Sequence, residues 1–499
     1  MAAALVLVSG VLSASPAEAA SAARPYDFNG DGHPELVVGA PNLRVESAIG
    51  EGGLVVLPAS ARGVALTERI VSQSSPGVPG TSEGDHPDVE GAGDLFGAAL
   101  ASADFDRDGY ADLAVGQPGE NEGVGAVTVI YGSFRGPDTN RSRRVNPTSG
   151  SGAFGAALVA GDFDRDQFPD LGIGAPSADV EGDHHEPDAS GSVTVLPGGA
   201  TGLSTADPVV VRRRGGVDGD IRFGSALAAG DLDRDGGTDL IIYAPGNHDL
   251  VDYSRPGSLT YCPNQVDGPS ACSRLVRGLS YAGGGSLVVG NTSGDSRPEI
   301  IFSSPNYAED EEEGGAGEVH VLHLGDEMPA RVVGQNVLTQ NSRGVPGSDE
   351  YGDGFGSSIA LGDVDRDGYA DLVIGAAYEN DGEGRVTVVH GAQLGWRTSG
   401  NYFYSQNTRG IPGVAEGYDA DLVLGGDLFG SEVSLRDHNG DGRLDLTVGA
   451  PEENSSGAIT TLLGSRRGFT TAGARAFGLA TLGYAHRAEA EFGATLGNN

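Results

Sequence analysis

Acidic residues at alternate positions recur along this chain in short segments whose chemistry suggests metal binding. The clearest segment, "DFDRDGYADL", begins at Asp104, and near copies begin at Asp231 and Asp363. In a tight loop, side chains at positions 1, 3 and 5 can face one centre, and a glycine at position 6 permits a sharp bend. The carbonyl at position 7 then points inward, and a carboxylate at position 9 closes the cage. Because hard oxygen ligands in a flexible loop suit calcium, we predict calcium sites in these segments.

The overall charge is compatible with a protein that collects cations. The chain has 499 residues, with 70 Asp and Glu against 31 Lys and Arg, and its net charge is −39. Such a charge repels nucleic acid and anionic membranes, so we exclude both as partners. The 83 glycines and 26 prolines favour many short strands joined by tight turns.

Each acidic segment lies between the same flanking sequences. Seven copies begin at Asp27, Asp104, Asp162, Asp231, Asn291, Asp363 and Asp437. In five of them a Phe-Gly strand starts eight positions earlier, at Phe96, Phe154, Phe223, Phe355 and Phe429. An apolar strand ending in Gly-Ala-Pro or a relative of it follows most copies, and then come a variable loop, a third strand and a less regular fourth strand. Four short strands in a repeat of 58 to 77 residues predict a propeller blade.

The two ends of the chain complement each other. The first copy lacks a preceding Phe-Gly strand, whereas the chain ends in "FGATLGNN" from Phe492. We expect this last strand to join the first blade and close the ring, which removes two exposed sheet edges. The predicted fold is therefore all-β: a single seven-bladed β-propeller over residues 20–499, with four antiparallel strands per blade.

Residues 1–19 have the composition of an export signal. An apolar core is followed by Ala17 and Ala19 at cleavage spacing, and the apolar run is too short to span a membrane. The alternative is an ordinary buried first strand. We predict a signal peptide and a secreted mature chain.

The combination of Phe-Gly, acidic loop and Gly-Ala-Pro resembles the FG-GAP repeat. Over nearly all of its length after the signal, the chain is similar to the N-terminal β-propeller of integrin α chains and to secreted bacterial FG-GAP proteins. The resemblance implies that the acidic loops hold calcium and that ligands bind on the opposite face of the propeller. It specifies the fold more closely than the function, because one fold serves many functions.

Six copies supply a full set of predicted calcium ligands at positions 1, 3, 5, 7 and 9, the residue at position 7 through its carbonyl. These are Asp27, Asn29, Asp31, His33 and Glu35; Asp104, Asp106, Asp108, Tyr110 and Asp112; Asp162, Asp164, Asp166, Phe168 and Asp170; Asp231, Asp233, Asp235, Gly237 and Asp239; Asp363, Asp365, Asp367, Tyr369 and Asp371; and Asp437, Asn439, Asp441, Arg443 and Asp445.

Two copies depart from the pattern. In the third copy Gln167 replaces the turn glycine, which puts its loop geometry in doubt. The fifth copy has Asn291 and Ser293 at positions 1 and 3 and Arg297 at position 7, so we expect weak binding or none. A metal-free Asp-rich turn is the alternative for any single copy, but several copies in register favour calcium.

The two cysteines lie close together in "CPNQVDGPSAC". Export and the short Gly/Pro turn favour a disulfide between Cys262 and Cys272 that staples one surface hairpin. Two free thiols or a metal pair are the less favoured alternatives.

Several other segments have both a structural and a functional interpretation. The repeated Val/Ile-Pro-Gly of the long loops is interpreted as a turn device, and the acid-rich loops as solvated loops or as a rim for a basic or sugar ligand. Two arginine clusters indicate charged edge strands or, alternatively, a site for an acidic polysaccharide: Arg141, Arg143 and Arg144, and Arg212, Arg213 and Arg214.

Signals for catalysis are weak. "GTSEG" at 80–84 matches the G-x-S-x-G pattern but lies in a Pro/Gly loop with no following helix. His184, His185 and Glu186 are adjacent in a loop, where solvation is favoured over a zinc site. No nucleophile and base occur at a readable spacing.

Together these features predict a secreted, calcium-stabilised propeller that acts as a monomeric binding or adhesion module for a protein or glycan. The alternative is an extracellular hydrolase or polysaccharide lyase with its site at the mouth of the propeller channel. A third possibility is an envelope scaffold without a soluble ligand.

Overall fold

The computed structural model describes most of the chain. The described residues are 22–45, 50–65, 69–83, 93–148, 152–176, 191–212, 222–246, 256–279, 285–295, 297–305, 315–325, 330–393, 395–418, 426–484 and 489–497. Among them, no helix is both long and apolar enough to cross a membrane.

The described strands form seven four-stranded antiparallel sheets, which confirms the predicted seven-bladed β-propeller. The strands are Leu36–Ala40, Gly53–Leu57, Arg69–Val71 and Thr495–Leu496 in blade 1; Ala99–Ala103, Asp112–Gln117, Ala126–Ile130 and Arg143–Val145 in blade 2; Ala157–Gly161, Asp170–Ala175, Ser192–Leu196 and Val209–Arg212 in blade 3; Ala226–Gly230, Asp239–Gly246, Pro256–Cys262 and Ser273–Leu279 in blade 4; Leu287–Gly290, Glu299–Ser304, Glu318–Leu324 and Val332–Leu338 in blade 5; Phe355–Gly362, Asp371–Ala376, Arg385–Val389 and Tyr402–Tyr404 in blade 6; and Glu432–Arg436, Asp445–Ala450, Ala458–Ser465 and Gly468–Gly478 in blade 7.

The remaining elements of the described chain are short. Gly391–Ala392 pairs with Gly395–Trp396 in a small hairpin beside blade 6. Helical turns occupy Glu120–Gly123, Glu379–Gly382, Thr139–Arg141 and Glu453–Ser455. The first two are kinked by consecutive residues with positive φ, such as Asn121 at 54° and Glu122 at 58°, so they act as connecting turns.

The ring is closed by the C-terminal strand, as the sequence predicts. Thr495–Leu496 pairs antiparallel with Leu36–Ala40, with Val38 opposite Leu496 and Gly39 opposite Thr495. Phe492, which precedes it, is fully buried. The inner strand of each blade, meaning the strand before its acidic loop, contacts the inner strands of both neighbours around the whole ring. Blade 1 is therefore built from both ends of the described chain.

Apolar side chains fill the space between every pair of adjacent blades. Seven hydrophobic clusters are found among the described residues, one at each interface. Successive side chains of a strand point to opposite faces of its sheet: Leu36 and Val38 pack towards blade 7, whereas Val37 packs towards blade 2. Burial on both faces explains why the second strand of each blade is an apolar run without polar alternation.

The glycines of the repeat meet across the blade interfaces. The glycine of Gly-Ala-Pro in one blade lies against the carbonyl of the Phe-Gly glycine in the next. A Cβ atom added to the first glycine would lie 1.9–2.4 Å from that oxygen in the pairs Gly39–Gly97, Gly116–Gly155, Gly174–Gly224, Gly375–Gly430 and Gly449–Gly493. Real Cβ contacts are never this short, so these five interfaces exclude any side chain at this position.

We predict that Gly116→Ala destabilises the propeller. The new methyl group would lie 2.1 Å from the Gly155 carbonyl oxygen, between two backbones that cannot both keep their positions. The expected loss of unfolding free energy is about 1–3 kcal/mol, the usual cost of overpacking a filled interior. Thermal unfolding followed by circular dichroism measures it.

Gly334→Ala is the matched control, because it also adds a methyl group to a strand but meets its nearest neighbour, His323, at 3.7 Å. Equal melting midpoints for the two variants would contradict the interface argument.

Candidate metal centres

All seven acidic loops lie on one face of the propeller. Each loop joins an inner strand to the second strand of its blade; in blade 2 it runs from the end of Ala99–Ala103 to the start of Asp112–Gln117. Because strands alternate in direction, the loops between the second and third strands and the links between blades lie on the other face. We call these the acidic-loop face and the opposite face.

Backbone N–H groups hold the carboxylates of each loop in place. In blade 2 the Asp104 carboxylate accepts hydrogen bonds from the backbone of Asp108 and Gly109, both at 3.0 Å. Asp106 Oδ1 accepts from Asp108 N, and Asp108 Oδ1 accepts from Tyr110 N at 3.1 Å. The same bonds recur in blades 1, 4, 6 and 7. The loops are therefore preorganised, and their remaining oxygens share one small space.

The carboxylate at position 9 is the most buried member of each set. Asp112 is fully buried, and it accepts hydrogen bonds from the backbone of Phe105 and Gly132, each at 2.9 Å. Burial raises the pKa of Asp112 to about 8, although these donors oppose the rise. Burial likewise raises the pKa of Asp170 and Asp445 to about 7.

The predicted ligands converge in the loops that carry aspartate at position 3. Carboxylate oxygens lie within 4.8 Å of one another in Asp104, Asp106 and Asp108; Asp162, Asp164 and Asp170; Asp231, Asp233 and Asp239; and Asp363, Asp365 and Asp367. Blades 1 and 7 have an asparagine there, and its amide oxygen takes the same role: Asn29 Oδ1 accepts from Asp31 N at 2.8 Å, and Asn439 Oδ1 accepts from Asp441 N at 2.9 Å. These sets offer only oxygen donors, as calcium prefers.

The third loop keeps the shape of the others despite Gln167. This residue adopts φ 76°, close to the 93° of Gly109 and of Gly368 at the same position. Asp162 accepts a hydrogen bond from Gln167 N, but its buried Oδ1 has no partner among the described residues. The loop therefore forms, at the cost of a non-glycine residue in the left-handed region.

The fifth loop is built differently from the other six. Asn291 Oδ1 accepts from Gly294 N at 2.6 Å, and the buried Glu299 carboxylate accepts from the backbone and hydroxyl of Thr292. Arg297 at position 7 is buried, and its guanidinium donates to the Gly325 carbonyl. The described residues of this loop offer no convergent set of three carboxylates.

Arginines pair with the carboxylates of two loops. Arg141 donates to Asp106 at 2.9 Å and to Asp108 at 3.2 Å, and in blade 6 Arg397 donates to Asp365 at 2.9 Å and to Asp367. The sequence analysis did not anticipate these pairs, because each arginine comes from the turn after the third strand, about 30 residues beyond its loop.

A second set of arginines links successive loops. The residue at position 4 reaches towards the next blade: Arg165 pairs with Asp235, and the Arg107 guanidinium lies 5.8 Å from the centre of the Phe168 ring. Where the next blade presents a tyrosine or histidine at position 7, position 4 is a glycine that touches it, as Gly30 touches Tyr110. The periodic Asp-x-Asp-Arg in four copies was the available sequence signal.

The remaining arginine predictions have mixed outcomes. Arg143–Val145 is the outermost strand of blade 2, as the edge-strand interpretation expects. Arg144 forms an ion pair with the buried Glu120 at 2.6 Å. Arg212 ends the outer strand of blade 3, whereas Arg213 and Arg214 lie outside the described residues.

The disulfide is present between Cys262 and Cys272. It connects the end of Pro256–Cys262 to the residue before Ser273–Leu279 and closes that hairpin, as predicted.

The weak catalytic signals gain nothing from the described residues. Ser82 lies in a loop where Glu83 N donates to Asp94, not on a strand-to-helix turn. Gly84, His184, His185, Glu186 and residues 1–19 lie outside the described residues.

Comparison with known proteins identifies the repeats. The FG-GAP repeat family matches residues 19–56, 96–130, 154–196, 223–257, 355–389 and 429–462. These segments include six of the seven acidic loops, and the fifth loop is outside them.

The curated relatives fall into two groups. The chain is 28% identical over 386 residues to phosphatidylinositol-glycan-specific phospholipase D of Mus musculus, which covers 71% of this chain and 43% of that protein. It is 30% identical over 253 residues to integrin alpha pat-2 of Caenorhabditis elegans, covering 48% and 18%, and 30% identical over 191 residues to human integrin alpha-6, covering 36% and 16%. The chain thus spans less than half the length of these relatives.

We predict that Gln167→Gly stabilises the third loop. Leaving the left-handed region relieves about 1–2 kcal/mol of strain, offset by about 0.4–1 kcal/mol from the greater freedom of glycine in the unfolded chain. The expected net gain is roughly 0.5–1 kcal/mol, seen as a higher melting midpoint.

The reverse change, Gly368→Gln at the same position of blade 6, is the matched control. A Cβ there meets nothing within 4 Å, so the variant tests backbone conformation alone and should melt at a lower temperature. A lower midpoint for Gln167→Gly would instead indicate that the glutamine side chain is stabilising.

Proposed function

The chain is an FG-GAP-repeat β-propeller of the integrin-α type, and on that basis we propose that it is a secreted, calcium-binding module that recognises a protein or glycan ligand. The observation that carries the binding role is an aromatic and acidic cleft on the opposite face. The acidic loops support calcium binding on the other face.

The cleft lies between blades 6 and 7 and has a volume of about 830 Å³. Its walls come from the link before blade 6, the link before blade 7, and the loops between the second and third strands of both blades. Three tyrosines line it and are 44–59% exposed: Tyr351, Tyr378 and Tyr418. Five carboxylates surround them: Glu350, Asp353, Asp381, Glu383 and Glu452.

The chemistry of the cleft favours a cationic or hydroxylated ligand. Tyrosine rings attract lysine or arginine side chains through cation–π contacts, and they also provide flat apolar faces for sugar rings. Its described lining contains no arginine or lysine, so the carboxylates leave it strongly negative. A basic segment of a protein suits this cleft best, and a neutral glycan is the second choice.

Calcium binding is supported by the fit between the ion and six of the loops. The ligand sets are oxygen-only, and the buried carboxyl at position 9 carries a raised pKa in the ion-free chain. Bound calcium would supply the positive charge that these desolvated carboxylates lack. The residues that would hold it are those at positions 1, 3, 5, 7 and 9 of blades 1, 2, 3, 4, 6 and 7.

The comparisons favour a module over a shared reaction. The same repeats align with a protein named as a phospholipase D and with integrin α chains, whose names describe different roles. Exposed tyrosines on the rim also favour binding over the hydrolase or lyase alternative. The Cys262–Cys272 disulfide supports export, because such bonds persist in oxidising compartments.

We predict that calcium raises the melting temperature of the propeller. Millimolar calcium against site affinities of about 10⁻⁴–10⁻³ M stabilises each loop by roughly 0.4–1.4 kcal/mol, so six loops give several kcal/mol. Differential scanning calorimetry in calcium and in EDTA measures the difference. An unchanged melt in EDTA would contradict a structural role for calcium.

We also predict that this calcium effect grows with pH. The raised pKa values of Asp112, Asp170 and Asp445 mean that the ion-free protein takes up protons on folding. Its stability in EDTA should therefore be greatest below about pH 4 to 5, as far as these groups are concerned, and fall as pH rises towards about 8. Calcium takes the place of those protons, so the gap between the two melts should widen over the same range. A gap that is constant with pH would argue against these carboxyls as ligands.

We predict that the cleft tyrosines carry ligand binding. The protein is tested for saturable binding to basic peptides, matrix proteins and polysaccharides, in calcium. Tyr351→Ala and Tyr418→Ala should each weaken binding of the captured ligand about tenfold, equivalent to about 1.4 kcal/mol.

Phe134→Ala is the control, since Phe134 is 69% exposed but lies after the third strand of blade 2, away from the cleft. Equal losses in all three variants, or none in the tyrosine variants, would exclude the cleft as the binding site.

A further inference from the structure

We propose that blade 5 binds a sulfate or phosphate group at the position where the other blades carry a calcium loop. The site lies on the acidic-loop face, and it is independent of the ligand proposed for the opposite face. It consists of a pocket lined by three arginines.

The pocket has a volume of about 640 Å³ and opens beside the fifth acidic loop. Its charged lining residues are Arg234, Arg297, Arg331 and Asp295, and the backbone at Gly325 completes one wall. Three guanidinium groups thus face the space with one carboxylate. This balance is the reverse of that in the loops of blades 2 and 6, where one arginine meets two aspartates.

Substitutions in the fifth loop create this reversal. Asn291 and Ser293 remove the negative charges at positions 1 and 3, and Arg297 adds a positive charge at position 7. The Glu299 carboxylate is buried and accepts from Thr292, with His323 at 3.4 Å on its other side, so it is engaged away from the pocket. A loop that has lost its cation ligands has gained a cation of its own.

The three arginines come from different elements that the fold brings together. Arg297 is only 8% exposed, and its Nη1 donates to the Gly325 carbonyl at 2.5 Å, which fixes the direction of the guanidinium. Gly325 N donates to the Arg331 carbonyl at 2.8 Å, closing the turn between the third and fourth strands of blade 5. Arg234 occupies position 4 of the blade 4 loop, from which arginines reach towards the next blade.

The local charge decides what binds here despite the net charge of −39. At physiological ionic strength, exposed charges beyond about 8 Å are largely screened, so a ligand in the pocket responds mainly to its lining. Asp233 of blade 4 also interacts electrostatically with Arg297, which leaves three positive against two negative groups nearby. All 31 basic residues of the chain are arginines, and the grouping of three in one pocket is unusual for this acidic surface.

The chemistry of the lining indicates a tetrahedral oxyanion. The planar fork of arginine donates two parallel hydrogen bonds to sulfate or phosphate oxygens. A pocket of this volume exceeds a single such group and falls in the usual range for ligand sites. The group is therefore carried on a larger molecule, such as a sulfated or phosphorylated sugar.

The test is binding of small sugar probes to the full chain, measured by isothermal titration calorimetry in calcium. The probes are a sulfated disaccharide, its unsulfated counterpart and a sugar phosphate. Wild type should bind one or both charged probes, more weakly as salt rises, and should not bind the unsulfated disaccharide. Preference between the charged probes identifies the source of the oxyanion. Equal binding of the sulfated and unsulfated sugars would overturn the proposal.

Two variants locate the site. Arg297→Gln and Arg331→Gln should each weaken binding at least tenfold. Arg331 is exposed, so its substitution keeps the test valid even where loss of the buried Arg297 affects folding. Arg62→Gln is the matched control, because Arg62 is an exposed arginine in the corresponding turn of blade 1 and should leave binding unchanged. Wild-type affinity in Arg331→Gln, with the protein folded, would overturn the proposal.

Discussion

The close approach of backbone to backbone between neighbouring blades is the constraint on which the rest of this structure depends. Five interfaces bring a Gly-Ala-Pro glycine against the carbonyl of a Phe-Gly glycine, with no space for a side chain. The contact sets the spacing of the inner strands, and the buried phenylalanine beside it fills the gap that the glycine leaves. A ring of seven blades closes only if every interface keeps nearly the same geometry, which explains why this motif recurs.

The exceptions obey the same rule. At the interface between blades 4 and 5, Tyr243 stands where the other blades have glycine, and the chain has no Phe-Gly before the fifth loop. The tyrosine ring instead stacks on Phe302 with ring centres 6.4 Å apart. Both halves of the contact have changed together, because a side chain on one glycine requires space from the other. Blade 5 is also the blade whose acidic loop has lost its carboxylates, so packing and loop chemistry diverge at the same place in the ring.

The interfaces separate two faces with different chemistry. On one face, backbone N–H groups hold carboxylates in loops that are fixed by the strands on either side, and arginines from neighbouring elements pair with them. On the other face, longer links and turns assemble tyrosines and carboxylates into a cleft that no single blade contains. A rigid ring that presents repeated loops on one side and variable loops on the other is well suited to recognition, because function can change in the variable loops without disturbing the interfaces.

The sequence by itself determined the features that repeat within one blade. The period, the flanking glycines and the unmatched end strands were enough to predict seven blades, ring closure and the order of ligands in each loop. The local Cys262–Cys272 bridge was predictable for the same reason, since its partners lie within one hairpin. These features depend on short-range spacing, which the chain itself records.

Only the tertiary structure decided what meets across blades and around the ring. The pairing of Arg165 with Asp235, the tyrosine cleft and the three arginines of blade 5 join residues from separate blades or distant turns. Their proximity depends on the angle between blades and on the paths of loops of unequal length, neither of which has a fixed spacing in sequence. The left-handed conformation of Gln167 is a further case, because the surrounding loop imposes it against the preference of the residue itself.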